Sequence, residues 1–412
     1  MNILSEVQGH FRGALPSRVG VALSGGGDSV ALLHVLATWF QSRGVDVLAA
    51  TVDHGLRDGS AQEAQQIAEM AAGLGVDHEI LRWDDWDGKG NLQDQARRAR
   101  YQLLGEWAKR RQIPIVALGH TADDQAETVL MRLARSAGVD GLAAMPVRRD
   151  LNGITLLRPL LKVTRAQLRS YLTENNLTWV EDPSNQDRRF ERVRLRQAMQ
   201  DLEPLGLTIE TLSTVAENMA RAKEALDHSV LSSARELATT VHGAVVFDEA
   251  MLRVQPDEVI HRLILGALRW VSGAGYPLRR QIMREALDTV RTGGGLTLGG
   301  CRILSRRGQV WICREYNAVR DDVAQPDGLW DNRWRLEGGA DQDLEVRPLG
   351  KNGLSFCPDW RDSGCPREVL EATPSLWRGQ DLIAAPMAEM ANGWTIKAVI
   401  SDEEFYAGLL SH

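Results

Sequence analysis

The sequence predicts an α/β chain: an open parallel sheet with helices on both faces, then a helical region and a small β-rich C-terminal domain. Three observations predict it. Short apolar runs alternate with helical patterns of a dozen or more residues over the first 200 positions. After Pro204 the composition shifts to helical segments with few β-branched runs. From Leu329 on, short strand-like pieces alternate with Gly, Pro and Asp turns. The first pattern belongs to parallel sheets with crossover helices, the last to small antiparallel modules. The expected domains are 1–204, 205–320 (mainly helical, ending in a β-hairpin) and 321–412.

In chain order, residues 18–23, Arg-Val-Gly-Val-Ala-Leu, read as a buried strand. A helix follows Gly27, with Val30, Leu33, Ala37 and Phe40 at helical spacing. Residues 45–52 form a second strand, and Ser60-Ala-Gln-Glu63 is a capping box that opens a second helix. Residues 76–83 are a third strand, 91–111 an Arg-rich helix ended before Pro114, 115–118 a fourth strand and 121–136 a fourth helix. Residues 154–157 and 178–180 add short strands around a helix begun by a second capping box, Thr164-Arg-Ala-Gln167. Residues 208–240 and 254–292 read as helices, interrupted by Gly293-Gly-Gly295. Residues 296–304 and 309–314 then pair around Ser305-Arg-Arg-Gly308.

Composition narrows the function classes. With 43% hydrophobic and 25% charged residues the chain is an ordinary globular one, and no run approaches the roughly 20 apolar residues of a membrane span. The start lacks the features of a signal peptide, so no membrane association and a cytoplasmic location are expected. Cys301, Cys313, Cys357 and Cys365 form no C-x-x-C pair, which removes a zinc or redox centre of that kind. The net charge of −7 conceals an asymmetry: residues 1–200 carry 25 basic against 24 acidic groups, the remainder 23 against 31. A local basic face for a nucleic acid is therefore compatible with the acidic total.

The segment Ser24-Gly25-Gly26-Gly27-Asp28-Ser29 joins the first strand to the first helix, at the carboxyl edge of the sheet where ligands bind. Its glycines let backbone N–H groups approach an anion, and the helix N-terminus adds more. There is no Gly-Lys-Ser/Thr, so this is not a Walker A loop. Asp28 stands instead, and a carboxylate among phosphates is repulsive without a cation between them. ATP with Mg²⁺, the metal on Asp28, is the expected ligand set. A glycine-rich turn with an Asp cap is the alternative.

Ser-Gly-Gly-X-Asp-Ser after a first strand resembles the pyrophosphate loop (PP-loop) of the N-type ATP pyrophosphatases, whose fold is adenine nucleotide alpha hydrolase-like. That resemblance implies cleavage between the α- and β-phosphates and transfer of AMP to a substrate oxygen. Four further segments are similar, in order and spacing, to the tRNA(Ile)-lysidine synthetases: Val52-Asp-His-Gly-Leu-Arg57, Gly119-His-Thr-Ala-Asp-Asp-Gln-Ala-Glu-Thr128, Arg158-Pro-Leu-Leu161 and Glu181-Asp-Pro-Ser-Asn-Gln-Asp187. The likeness is close over 18–200 and one of layout beyond. It implies ligation of free L-lysine to C2 of the wobble cytidine of a tRNA(Ile) with anticodon CAU.

On that resemblance His120, Asp124 and Glu127, spaced 0, +4 and +7 on one helical face, hold the lysine ammonium and relay a proton. A solvated acidic helix start is the plainer reading of the same residues. By position at the same sheet edge and by helical spacing, His54, Arg97 and Gly119 are candidate ATP contacts. Asp53 is a candidate for metal or cytidine binding, Arg100 for phosphate, and Arg188, Arg192 and Arg196, a stripe at helical spacing, for ATP phosphates or the tRNA backbone. A structural His and solvated arginine faces are the alternatives there. Arg302, Arg306, Arg307 and Arg314 surround the expected hairpin and offer a basic surface for tRNA. Thr121 stands where many relatives carry a second His, and Val193 where many carry Asn. Residues 1–300 contain no cysteine, which sets aside the related 2-thiocytidine enzymes with their C-x-x-C clusters. A non-catalytic ATP-binding tRNA chaperone is the rival of another class, and a homodimer is compatible with the sequence.

Overall fold

Six strands form the sheet of the N-terminal unit, in the order β3-β2-β1-β4-β6-β5. They are β1 (Arg18–Ala22), β2 (Asp46–Asp53), β3 (Asp77–Arg82), β4 (Ile115–Leu118), β5 (Arg148–Leu151) and β6 (Ile154–Leu157). All neighbours run parallel except β5, which pairs antiparallel with β6 at the edge. The computed structural model describes residues 2–410 apart from 57, 58, 85, 87–89, 181–190, 274–279 and 340–342. It divides into two compact units, Met1–Lys223 and Glu224–His412.

Helices cover both faces of this sheet because the strands alternate. Val19, Val21 and Ala49 point to one side, with α1 (Ile3–Gly9), α2 (Gly27–Phe40), α3 (Ser60–Gly73) and α7 (Arg165–Glu174). Ala22, Leu48, Ala50 and Val116 point to the other, where α4 (Leu92–Arg110) buries Leu104, Trp107 and Ala108. A third cluster holds Ala126, Val129 and Leu130 of α5 (Ala122–Ala134) against Leu212 and Ala216 of α9 (Ile209–Leu237), with Leu142 of α6 (Val139–Leu142) and Leu195 and Met199 of α8 (Glu191–Leu202) alongside. The first unit therefore runs past Pro204.

Three local expectations change. The edge strand β5 is absent from the sequence reading because Arg148-Arg-Asp150 is polar, yet Asn152 and Gly153, at φ 52° and 87°, make the Asn-Gly turn that pairs it with β6. Residues 178–180 form no strand; Val180 donates its N–H to the carbonyl of Gly25 instead. The box expected at Ser60 is not made: the N-cap of α3 is Gly59 at φ 90°, without a side-chain cap. The second box is made as expected, Thr164 and Gln167 exchanging side-chain-to-backbone bonds at the start of α7.

The second unit is built on a five-stranded antiparallel sheet ordered β7-β8-β11-β10-β9: β7 (Ala238–Val241), β8 (Ala244–Asp248), β9 (Gly295–Leu298), β10 (Cys301–Arg306) and β11 (Gln309–Arg314). The single long strand expected at 296–304 is two, turned at Gly299-Gly300, and β7 and β8 lie where helix and loop were expected. Val245, Phe247, Ile303, Val310 and Ile312 face a core with α11 (Asp257–Ser272), α12 (Arg280–Thr292) and α16 (Asp402–Gly408). Ala244, Val246, Leu304, Trp311 and Cys313 face a core supplied by 319–396, which includes β12 (Trp334–Glu337), a three-stranded sheet of β13 (Glu345–Pro348), β14 (Pro374–Arg378) and β15 (Asp381–Ala384), and β16 (Thr395–Ala398). All four cysteines are buried and free.

Candidate active site at the switch point of the sheet

From β1 the chain continues to β2 on one side, while β4 pairs with β1 on the other. Loops leaving β1 and β4 therefore diverge and open a crevice at the carboxyl edge. The phosphate-loop residues leave β1 there, and Gly119-His120 leaves β4. The two loops touch: a Cβ on Gly119 would lie 3.0 Å from the backbone of Ser29, so only glycine lets them approach. Gly25 sits at φ 80°, and a Cβ there would also strike Ile67.

The loop is braced from within. Ser29 is buried, donates its hydroxyl to the Gly26 carbonyl (2.9 Å) and accepts the Ser24 N–H (3.1 Å). Its hydroxyl hydrogen is thus committed to loop shape. Ser24 is exposed at the mouth. Asp28 lies in the first turn of α2, whose leading N–H groups have no helical partners. Burial raises its carboxyl to about 6, against the pull of Arg165 and with Asp124 adding to the rise.

The acidic residues from α5 arrive at the same place. Thr121 is the N-cap of α5 and shares a capping box with Asp124, whose Oδ2 accepts the Thr121 N–H (2.8 Å) and hydroxyl (2.9 Å). The departure at Thr121 is thus structural. His120 precedes the cap, so it is not on the helix, contrary to the one-face expectation. Burial lowers its pKa to about 3, Asp124 opposing and Arg158, Arg100 and Arg192 assisting. Its Nδ1 is buried with no hydrogen-bond partner. Glu127 is fully buried; its Oε1 accepts from Arg165 Nη1 (2.8 Å) and Arg196 Nε (2.6 Å), while Oε2 has no partner.

Arg165 joins the two halves of the site. Its guanidinium reaches Glu127, Asp124 (2.5 Å) and, at 3.4 Å, Asp28, and its backbone N–H bonds Asp123 (2.9 Å). Burial works against its charge, but Asp124 and Glu127 outweigh that and hold it firmly protonated. Sequence reading passed over this residue as part of a capping box. One signal was available: a cation at the first position of a helix opposes the macrodipole and needs an outside reason.

Other expected residues are spread about this centre. A cavity of about 430 Å³ beside Ser24 is lined by Thr51, Asp53, His54, Glu63, Ile67 and Arg100, among others. Asp53 accepts the Gly55 N–H (3.0 Å), and His54 meets Trp83 edge-on with its Nδ1 unpartnered. Arg97 does not line this cavity; its guanidinium stacks on Tyr101, 5.2 Å from the ring centre. Arg192 and Arg196 lie on α8, and Arg188 and the 181–187 segment lie outside the described residues.

Residues 2–203 match a PP-loop domain family. The tRNA(Ile)-lysidine synthase of Ruegeria pomeroyi is 50% identical over 411 residues, covering 100% of this chain and 98% of that protein. That of Wolbachia pipientis is 32% identical over 90% of this chain and 88% of its own length. A third, from a Bradyrhizobium species, is 39% identical over 68% of this chain and 81% of its own. With a phosphate loop facing buried carboxylates across the switch point, and a likeness that runs through both units, the chain belongs to the tRNA(Ile)-lysidine synthase family, PP-loop ligases that use ATP.

Proposed function

We propose that the chain ligates free L-lysine to C2 of the wobble cytidine of a tRNA(Ile) with anticodon CAU. One observation carries the residue assignment: the phosphate loop and the buried pair Asp124–Glu127 face one another, joined through Arg165. The C2 oxygen of cytosine is a poor leaving group. Its attack on the α-phosphorus of ATP expels pyrophosphate and leaves an O-adenylated base. The lysine ε-amine then attacks C2, loses a proton, and expels AMP with the original oxygen.

The phosphates lie along residues 24–29 and the leading N–H groups of α2, with the nucleoside in the cavity of Asp53, His54 and Arg100. Asp28 suits Mg²⁺: it is a single hard carboxylate whose ionisation burial disfavours, so a cation is welcome there. Among the described residues no group of three or more His, Cys, Asp or Glu could hold a metal, so Asp28 would share the ion with phosphate oxygens. Bound there, Mg²⁺ supplies charge neutralisation to the triphosphate. The lysine ammonium goes to Glu127, whose Oε2 is an open acceptor in a buried wall. His120 is neutral at physiological pH, and a conjugate acid near 3 makes it a weak base for an ammonium near 10.4. It orients by hydrogen bonding. Arg192 and Arg196, with Arg188, lead the RNA backbone to the crevice. Among the described residues no helix is long and apolar enough to cross a membrane, and a cytoplasmic location suits the tRNA substrate.

The test is incubation with ATP, radiolabelled lysine and unmodified tRNA(Ile). Label should enter the tRNA with one AMP and one pyrophosphate formed per lysine. Pyrophosphate release without incorporation, or equal labelling of an elongator methionine tRNA that shares the CAU anticodon, would overturn the reading.

A further inference from the structure

We propose that Arg165 is a movable counter-ion that closes the lysine subsite until ATP is bound, so that lysine and ATP bind with positive coupling. This rests on the functional reading above. The guanidinium already stands where an incoming ammonium must go. Its Nη2 holds Asp124 Oδ1 and its Nη1 holds Glu127 Oε1. The other oxygen of Asp124 is spent on the cap of α5. Only Glu127 Oε2 is left open, and a single acceptor is a weak seat for an ammonium with three donors.

Arg165 cannot leave without exchange. Its departure would strand Asp124 and Glu127 in a buried wall with Arg196 as the remaining ion-pair partner of Glu127 among the described residues. Uncompensated buried charge is costly. Two arrivals make the move balanced: a triphosphate to receive the guanidinium and an ammonium to replace it. The third contact of Arg165 points the way, because Nε faces Asp28 on the phosphate loop at the longest of its three side-chain distances, 3.4 Å. The backbone need not shift. The Arg165 N–H is anchored on Asp123 and the capping box of Thr164 and Gln167 fixes the helix start, so side-chain torsions alone carry the guanidinium from carboxylates to phosphates. Arginine is suited to both partners, since its fork fits carboxylate and phosphate alike.

Coupling of this kind is reciprocal, and a factor of about ten is an ordinary size for it. L-Lysine is titrated calorimetrically into the full chain with and without a non-hydrolysable ATP analogue and Mg²⁺. Wild type should bind lysine about tenfold tighter with the analogue. Arg165→Met should bind it equally in both conditions, and Arg165→Lys should retain a reduced difference. Equal lysine affinity in wild type under both conditions would remove the counter-ion exchange, and this needs no variant to fold. An undiminished difference in Arg165→Met would remove Arg165 from it. A wild type stabilised by the analogue but binding no lysine in either condition would instead overturn the functional reading itself.

Discussion

Two carboxylate-bound arginines, the buried Arg262 and the partly buried Arg165, one in each unit, show what separates a structural charge cluster from a working one. Arg262 of α11 is 3% exposed and bonds Asp227 at 2.8 Å and Glu258 at 2.9 Å. None of these three side chains leaves a buried polar atom without a partner. Arg165 is also held by carboxylates, but its cluster is unfinished. Glu127 Oε2 and the nearby His120 Nδ1 are buried without partners, and Asp28 ionises reluctantly. Buried polar groups are normally satisfied, so unmet capacity gathered at one sheet edge marks a place awaiting a ligand.

The comparison can be broken by exchanging the consequences. Asp28→Asn should lower pyrophosphate release on the order of a thousandfold, the effect of losing several kcal/mol of charge stabilisation. Its melting temperature should not fall, because the lost carboxylate is one that burial penalises. Near-normal turnover would remove the metal role. Arg262→Met should do the reverse. Removing the 2.8 Å bond to the largely buried Asp227 costs about 1–3 kcal/mol, read as a lower denaturation midpoint, while the folded fraction keeps its lysine KM. A raised lysine KM with unchanged stability would put Arg262 in a working site after all.

Glu127→Gln follows in size. It keeps shape and removes one charge facing the ammonium, worth about ten- to a hundredfold in lysine KM for a single charge-assisted hydrogen bond. Adenylation should be largely spared, since the phosphate loop is untouched. An unchanged KM would take Glu127 out of the lysine site and leave its open oxygen unexplained.

The legible parts of this molecule were those encoded locally. Strand β4, the glycine-rich turn between β1 and α2 and the box at Thr164 follow from neighbours in sequence, and the structure keeps all three. What depended on distant partners was hidden. The role of Arg165 needs four acidic residues from two other helices. Strand β7 was lost because Ala238–Val241 reads as the end of a helix, whereas it pairs with β8, which is itself held in the sheet by the distant β11. The basic surface expected around that hairpin is smaller than its arginine count: Arg314 forks onto Asp331 with two 2.9 Å bonds, and Arg306 reaches Glu368. Arg302 and Arg307 remain exposed.

The smallest effect is a pH dependence that should appear in the Arg165 cluster. In the folded chain His120 is pushed down to about 3, chiefly by burial, from an ordinary value of 6.5. Between those values the unfolded chain binds a proton that the folded chain refuses, so stability falls as the pH drops from about 6.5 toward 3. Asp28 acts in the opposite sense: its raised carboxyl takes a proton first in the folded state, which favours folding as the pH drops through about 6. The two contributions partly cancel in wild type, but the Asp28 part is common to wild type and His120→Asn and drops out of their difference. Asparagine cannot take the proton in either state. Relative to wild type, His120→Asn should therefore gain stability steadily from pH 7 to pH 4.5 in denaturant melts. A His120→Asn offset that is flat over the same range would mean that His120 takes up its proton alike in the folded and unfolded chain, which would overturn the reading of its nitrogen as buried and unprotonated.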